Sequence, residues 1–441
     1  MTVPSFAGSD TAAFDPVAYI NSPRWMDSRL GLERIAELLD LLGNPQQSLR
    51  FVHVAGTNGK GSTCAFLAQI LQEAGYKTGL FTSPYIISFE ERIRIDGANI
   101  SPADLVDVTL SVKRAAEAMA DHPTEFELMT AVALLHFAQQ RCDIVVLEVG
   151  LGGRLDSTNV IDAPEVCVIA SIALDHTAYL GTTLAAIAGE KAGIIKRGVP
   201  VVSWPQEQSA GQVIQACAAQ QEAVVYTPDF SQLVVQSVAT QENPRYRFSY
   251  KSYLDLEIQL MGSYQPYNAV LAVEAVEVLR DRGWGISAAA LRAGLAHTQW
   301  PGRFEIVASN PTFIVDGGHN PQGACALADS LRASFPAARP VFIIGVLADK
   351  DYPEMLEAIM PLGSAFIAIT PDNPRALPAE ALARALRWTA QDMLGCSACK
   401  HIYAAPTMAA AVAQAREIAG TKGLVCAFGS LYSIAGIKAA L

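Results

Sequence analysis

The 441-residue sequence has no positive excess: 32 lysines and arginines stand against 43 acids, a formal net charge of −11. That balance speaks against non-specific binding to nucleic acid, which draws most of its affinity from basic side chains on phosphate. It leaves room for a local basic pocket around an anionic substrate. No segment reaches the apolar length of a membrane span. The N-terminal stretch MTVPSFAGSDTAAFDP carries two acids and no basic residue, unlike a secretory leader. The expected address is therefore the cytoplasm. Cysteine is sparse and scattered, at 64, 142, 167, 217, 325, 396, 399 and 426. Cys142, Cys167 and Cys426 lie in apolar runs, as buried thiols of a reducing compartment do. The close pair Cys396-Ser-Ala-Cys399, with His401 nearby, has no second pair to complete a metal or redox site. Repeats and low-complexity segments are also missing. What is abundant is apolar mass: 51% of residues are hydrophobic, enough for two cores in a chain longer than one ordinary domain.

The most informative stretch is Phe51–Thr63, FVHVAGTNGKGST. An apolar β-run, Phe51–Ala55, feeds a glycine-rich turn, Gly56-Thr57-Asn58-Gly59-Lys60-Gly61-Ser62, and a helical pattern continues from Thr63 to Ala74. Strand, glycine loop and helix in that order make a phosphate cradle. Glycines let backbone N–H groups approach the phosphates, and the helix N-terminus adds a favourable dipole. Lys60 is placed to reach the outer phosphates, with a Ser62 or Thr63 hydroxyl available to a magnesium ion. Gly61 between the lysine and the hydroxyl departs from the common G-x-x-x-x-G-K-[ST] spacing.

Around this loop the pattern alternates strands and helices. Residues 1–30 read as a polar lead-in with some helix. Gly31-Leu32-Glu33-Arg34 opens an amphipathic helix with Ile35, Leu38, Leu39 and Leu42 on one face. A strand over 78–82 ends in Ser83-Pro84, and 85–99 is a loop or hairpin. Ser101-Pro102 caps a helix, and another runs from about Glu125 to Gln140. The buried-type strand 143–147 ends at Glu148, where a Walker-B-like metal ligand sits beside a phosphate loop; a solvated strand-end acid is the other reading. Val166–Leu174 reads as a strand ending in Asp175-His176. A lone histidine is more often structural, but this one follows a buried strand at the ligand-binding edge, which favours a metal role. Thr182–Lys196 reads as a helix carrying Lys191, which composition alone leaves open between a snorkelling and a functional lysine. Then come a strand at 199–203, a helix over 208–221, short antiparallel strands in 223–261 with a turn at Glu242-Asn243-Pro244, and helices over 268–282 and 287–296. His297–Arg303 is the expected junction between a domain of residues 1–299 and one of residues 300–441. Beyond it, strands at 304–307, 312–316, 340–345, 365–370 and 424–428 alternate with helices near 321–334, 352–360, 378–390 and 407–418. The fold class is α/β: a P-loop-type, mostly parallel sheet domain with a small antiparallel subsheet, followed by a smaller Rossmann-like α/β domain.

Several of these stretches together resemble one family. They are the phosphate loop, Thr82-Ser83-Pro84 with Glu91-Arg92-Ile93, Leu147-Glu-Val-Gly-Leu-Gly-Gly-Arg-Leu-Asp156, Asp175-His176 with Leu180-Gly-Thr182, Glu190-Lys-Ala-Gly-Ile-Ile-Lys196, Pro301-Gly-Arg-Phe304 and Asp316-Gly-Gly-His-Asn-Pro321. In that order they resemble the folylpolyglutamate synthase family of the Mur ligase superfamily, from Gly31 to Tyr432. The resemblance implies an ATP-dependent amide ligase. ATP phosphorylates a substrate carboxylate, and L-glutamate attacks the acyl phosphate. Dihydropteroate would become dihydrofolate, and tetrahydrofolates would gain γ-linked glutamates. Two anions must then meet, so the site has to supply positive charge.

Residue by residue, the resemblance implies that Thr57, Asn58, Gly59 and Lys60, in the loop that continues through Gly61 and Ser62, bind the ATP phosphates. Asn268, Arg303 and Asp316 clamp the nucleotide. Ser83 and Glu148 hold one magnesium and His176 a second, with Lys191 as a carbamylated lysine helping to hold the second. The chemistry suits a partly desolvated lysine, whose neutral amine can capture CO₂. His319 either supports the acyl-phosphate site or fixes its turn. For the pterin end the similarity points to Gly31, Leu32, Glu33 and Arg34, to Thr124 and Phe126, and to Leu155, Asp156 and Ser157. Phe126 is equally readable as a core residue, and Arg154 either binds a carboxylate or pairs with Asp156. The family's central alanine in the D-x-A-H-N turn is Gly318 here, a small-for-small change. The implied partners are small molecules only, around a monomer, without nucleic acid or membrane. Competing expectations are a synthase acting on tetrahydrofolates alone, a cell-wall Mur-type amino-acid ligase and a P-loop switch. The cell-wall ligases carry an additional N-terminal domain, for which residues 1–50 leave little room. A switch explains neither the second α/β unit nor the lysine and histidine.

Overall fold

The structure is a computed structural model, and it describes residues 14–22, 31–238, 245–394 and 401–441. Among these residues the chain forms three sheets. The first contains β1 (Phe51–Ala55), β2 (Thr78–Phe81), β3 (Ile93–Ile95), β4 (Ala98–Asn99), β5 (Ile144–Glu148), β6 (Val166–Ile169), β7 (Val201–Ser203) and β8 (Val225–Tyr226), in the order β4-β3-β2-β5-β1-β6-β7-β8. Pairing is parallel from β2 through β8, and β3 and β4 add an antiparallel hairpin at one edge. Every residue of β1, β5 and β6 is buried. This is why these strands read as continuous apolar runs rather than alternating ones. The chain leaves β1 toward β2 on one side, while β6 lies on the other. The carboxyl end of β1 is thus the switch point of the sheet, where an open α/β sheet leaves a crevice.

The second sheet is the small antiparallel one, β9 (Leu233–Val238), β10 (Tyr246–Tyr250) and β11 (Tyr253–Ile258). The third contains β12 (Glu305–Ser309), β13 (Thr312–Val315), β14 (Val341–Ile344), β15 (Ala365–Ala368), β16 (Ile402–Ala404) and β17 (Leu424–Phe428), in the order β12-β13-β17-β14-β15-β16, all parallel except the β12–β13 hairpin. One buried apolar cluster includes Val54 and Phe66 beside the first sheet and Phe342 and Phe428 of the third. Phe66, Leu67, Ile70 and Leu71 of the helix Lys60–Glu73 are fully buried in it. At about 1.5–3 kcal/mol for each large side chain removed from water, this helix is anchored by its sides. Its N-terminus is left free to carry the glycine loop.

The strands and helices expected from the pattern are present, with several differences. β8, within the stretch 223–261 that reads as antiparallel strands, pairs parallel with β7 instead, and the short helix Ile434–Ala439 went unread. The loop helix begins at Lys60, not Thr63. β6 stops at Ile169 rather than Leu174, because beyond it the Ser171 carbonyl accepts from the N–H groups of Thr57 and Asn58 and serves the phosphate loop instead of a neighbouring strand. The helix expected over 182–196 spans Leu184–Ala192, capped by the Thr183 hydroxyl, which accepts from the Ala186 N–H. β16 went unread because three residues are too short for a periodic signal. The turn at Glu242–Pro244 and the Cys396/Cys399 pair lie outside the described residues.

Candidate active site

A cavity of about 820 Å³ opens at the carboxyl edge of the first sheet and is walled on its other side by the third. The loop Gly56–Ser62 forms its floor. Gly59 sits at φ 86°, a left-handed conformation that glycine adopts without strain. A Cβ there would stand 2.5 Å from Asn268 Oδ1, so the loop also needs glycine to pass the helix Gln265–Asp281. The Gln265 amide of that helix donates to Ser62 Oγ (3.2 Å). Ser62 lines the cavity, whereas Thr63 is fully buried and does not.

Two lysines meet at one backbone oxygen. Lys60 Nζ and Lys191 Nζ both donate to the Gly56 carbonyl, at 3.0 and 2.9 Å. Lys191 reaches it from the buried face of the helix Leu184–Ala192. Burial, and then the neighbouring Lys60 charge, pull its pKa down to about 7. A substantial fraction is therefore neutral amine at physiological pH.

Glu148 ends β5, is buried, and accepts from the Ser83 backbone N–H (3.2 Å). Burial raises its pKa against the opposing pull of Lys60, Arg303 and Arg92. Asp175 and His176 follow β6. Lys350, from the loop after β14, places Nζ 2.5 Å from Asp175 Oδ1 and 3.5 Å from His176 Nε2. Asn320 Nδ2 donates to Asp175 Oδ2 (3.1 Å) and to Asn58 Oδ1 (3.0 Å). Against the cost of burial, the His176 ring and the Lys350 ammonium hold the Asp175 carboxyl well below the usual carboxylate range. Burial, with Lys350, Lys60 and Lys191 nearby, holds His176 down to about 4, so its imidazole is neutral. His319 is also held to about 4, by burial and then Lys350. Its Nδ1 lies 2.9 Å from the Gly317 carbonyl, which can only accept. The neutral ring therefore carries its proton on Nδ1 and leaves Nε2 as an acceptor, 3.7 Å from Asp175 Oδ2.

Asp316 directly follows β13 and is held rigidly. Its Oδ2 accepts from the Phe304 N–H (2.8 Å) and the Tyr264 hydroxyl (3.0 Å), and its Oδ1 accepts from the Gly318 N–H (2.8 Å). Arg303 lines the cavity beside it. A Cβ on Gly317 would lie 2.3 Å from Arg303 Nη1, so glycine leaves the guanidinium its place.

At the far end of the cavity lie Thr124, Phe126, Leu155, Asp156 and Ser157. Phe126 does two things at once: its ring packs on Phe81 with centroids 6.0 Å apart, and it covers Gly150, where a Cβ would meet Cζ at 2.4 Å. Asp156 is spent on its own loop, accepting from the N–H groups of Leu151 (2.8 Å) and Thr158 (3.0 Å) and from the Thr158 hydroxyl (2.5 Å). One expected pairing is replaced, and two of the expected groups stand outside the cavity wall. Arg154 does not pair with Asp156 and does not line the cavity; it pairs with Glu190 of the neighbouring helix. Gly31, Leu32, Glu33 and Arg34 do not line it either. Arg34 is committed to Glu127, with Nε and Nη2 each 3.1 Å from a carboxylate oxygen, and Glu127 completes the capping box of Thr124. The residues before Gly31, 23–30, are outside the described set.

Sequence reasoning missed Lys350, Tyr264 and Arg375, all of which line the cavity. Lys350 had a readable signal: Leu-Ala-Asp-Lys-Asp follows the buried strand β14, at the same edge of the third sheet that carries Asp316 after β13.

Comparison with known proteins bears on the whole chain. Residues 54–276 match the Mur ligase middle domain, and residues 302–431 match the family described as Mur ligase, glutamate ligase domain. The Bacillus subtilis dihydrofolate synthase/folylpolyglutamate synthase is 40% identical over 373 residues, covering 81% of this chain and 86% of the relative. Among solved structures, Mycobacterium tuberculosis folylpolyglutamate synthase complexed with ADP and AMPPCP superposes with a TM-score of 0.85 at 34% identity, covering 96% of this chain and 98% of that one. Escherichia coli FolC in complex with DHPP and ADP gives 0.80 at 31% identity, with 95% of each chain covered.

Proposed function

The chain belongs to the folylpolyglutamate synthase family of the Mur ligase superfamily, and from that membership we propose how its cavity works. The protein is an ATP-dependent ligase that joins L-glutamate to a folate-type carboxylate. The carboxylate oxygen attacks the γ-phosphorus and ADP leaves. The glutamate amine then attacks the acyl carbon, inorganic phosphate leaves, and the amine gives up a proton. Both activities are assigned to this chain: dihydropteroate becomes dihydrofolate, and tetrahydrofolates acquire γ-linked glutamates.

The observation that carries the reading is the single cavity in which the phosphate loop faces Arg303, His319 and Lys350 of the third sheet. Both anions of the first step would lie among Lys60, Lys350 and Arg303. In a cavity with restricted water, fixed charges of this kind stabilise developing charge strongly. Thr57–Lys60, with Gly61 and Ser62, take the phosphates, and Asn268, Arg303 and Asp316 hold the rest of the nucleotide. His319 Nε2, unprotonated and facing Asp175, is placed to accept a hydrogen bond from the incoming amine. Thr124, Phe126, Leu155 and Ser157 take the pterin, with the Phe126 ring available for stacking.

The donor set suits magnesium. Ser83 and Glu148 offer hard oxygens for one ion, and the neutral imidazole of His176, with a carbamate on Lys191, suits a second. When bound, the ions supply the charge neutralisation that lets carboxylate and phosphate approach. The neutral Lys191 amine takes up CO₂ with loss of one proton, and the carbamate formed carries a negative charge beside the Lys60 ammonium. The reading includes a domain boundary near residue 299 and a cytoplasmic monomer acting on small molecules without nucleic acid or membrane. Among the described residues no helix is long and apolar enough to cross a membrane.

The test is ADP release with Mg-ATP and L-glutamate, with dihydropteroate, with tetrahydrofolate, and with neither. Release that needs glutamate and occurs with either pterin supports both activities. Activity with tetrahydrofolate alone removes the dihydrofolate synthase assignment, and release indifferent to every acceptor removes the ligase.

A further inference from the structure

A second cavity, of about 400 Å³, lies along the helix Lys60–Glu73 beyond the phosphate loop. Ala68 of that helix, Arg94 of β3, and Thr298 and Trp300 of the segment between the first and third sheets form its walls. Arg94 is its cationic centre. Its guanidinium lies 5.3 Å from the centroid of the Trp300 ring, makes no ion pair among the described residues, and has a buried Nε with no hydrogen-bond partner. A cation over a ring uses none of its N–H donors as hydrogen bonds, so the N–H edge, the part that receives a carboxylate, has no acceptor among the described residues. The Nε is closed off from the cavity, whereas the two terminal nitrogens are neither buried nor paired among the described residues, so they are the donors a ligand in the cavity meets. Asp96, exposed at the same cavity, has Oδ1 taken by the Thr78 N–H (2.8 Å), and His297 is tied to Glu73 (2.8 Å). One unpaired guanidinium beside one carboxylate matches a zwitterion better than a polyanion. Trp300 also touches the phosphate loop: a Cβ on Gly61 would stand 2.9 Å from its indole Nε1.

We propose that this second cavity binds a small α-amino acid, its carboxylate on the N–H edge of Arg94 and its ammonium toward Asp96, and that occupancy is transmitted to the phosphate loop through Trp300. The binding part stands independently of the ligase assignment. The experiment titrates the full chain, without nucleotide, with glycine, acetate and inorganic phosphate, read by calorimetry and saturation-transfer NMR. Glycine is expected to saturate more tightly than either anion. Arg94→Gln lowers its affinity at least about tenfold, while Lys60→Ala, which alters only the first cavity, leaves it unchanged. Ala68→Phe fills the second cavity while leaving the Arg94 side chain in the sequence and abolishes binding, which keeps the test decisive if the arginine variant folds poorly. Saturating glycine shifts the KM for ATP by about fivefold in the parent and not in Ala68→Phe. Absence of saturation, preference for phosphate, or binding that survives Arg94→Gln and disappears in Lys60→Ala overturns the site. An unchanged KM overturns the transmission through Trp300.

Discussion

The Gly56 carbonyl accepts from two lysines whose burdens differ. Lys60 lies at the head of a helix open to the cavity, while Lys191 is buried and held near pKa 7. Replacing Lys191 with methionine keeps the length and removes a charge that burial disfavours. Activity is expected to fall at least about 100-fold, while the thermal midpoint stays level or rises, as removal of poorly compensated buried charge allows. A variant that loses stability and activity together would make Lys191 a structural residue. His53 carries a different prediction. Its Nε2 lies 2.9 Å from Thr158 Oγ1, whose own proton goes to Asp156, so His53 donates from Nε2 and keeps a bare, buried Nδ1. Burial, then Lys196, lower its pKa from 6.5 to about 3. The unfolded chain takes up this proton below 6.5 and the folded chain does not. The contribution is therefore whole above pH 6.5 and lost as pH falls toward 3, at up to about 1.4 kcal/mol per unit. Urea midpoints measured between pH 7 and 4 are expected to fall less steeply in His53→Gln than in the parent. Equal slopes would remove His53 from the acid response. None of this was legible beforehand, because His53 reads only as one member of an apolar strand.

The loop Gly150–Asp156 and the helix Leu184–Ala192 are packed backbone to backbone. A Cβ on Gly153 would stand 2.8 Å from the Glu190 carbonyl and 3.0 Å from that of Lys191, and one on Gly193 would stand 2.2 Å from Arg154 Cβ. The glycine-rich wording between β5 and Asp156 thus sets the depth at which Lys191 enters the site. Gly153→Ala has to push the helix outward by several tenths of an ångström or more. A loss of about 1–3 kcal/mol from overpacking is expected, together with a lower kcat from the displaced lysine. Chemical denaturation and steady-state kinetics check the two effects, and a variant with parental kcat would show that the helix position is not critical. Element existence was readable along nearly the whole chain from apolar runs and caps such as Ser101. Element ends were not. β6 stops early because its continuing backbone is recruited by Thr57 and Asn58, a partner more than a hundred residues away in sequence.

At the scale of the molecule, Asp175 is where the two α/β units meet. Lys350, His319 and Asn320 converge on it, and Asn320 also bonds Asn58 of the phosphate loop. Both side chains of the Lys350–Asp175 pair are under 10% exposed, at 8% and 7%. Removing one partner of a buried pair leaves the other uncompensated. Lys350→Met is therefore expected to loosen the contact between the units and to lower kcat/KM by at least about tenfold. With ATP, magnesium and dihydropteroate, solution scattering is expected to show compaction in the parent, turning about residues 297–303, and less of it in the variant. Equal compaction and equal kinetics would show that Lys350 does not hold the units together.

What the sequence determined by itself is local: a strand–glycine loop–helix cradle, acids and histidines at strand ends, two successive α/β patterns and an ordered set of motifs shared with one ligase family. Those features depend on neighbours within a few residues, where side-chain period and glycine conformational freedom speak directly. The tertiary structure alone decided which charges share a neighbour. It sent Arg34 to Glu127 and Arg154 to Glu190, outside the cavity, and brought Lys350 across to Asp175. It put Lys60 and Lys191 on one carbonyl oxygen and set the Arg94 guanidinium over the Trp300 ring. Such pairings are set by where the sheets' edges fall in space, and attraction between charges acts through that distance and burial rather than through separation along the chain.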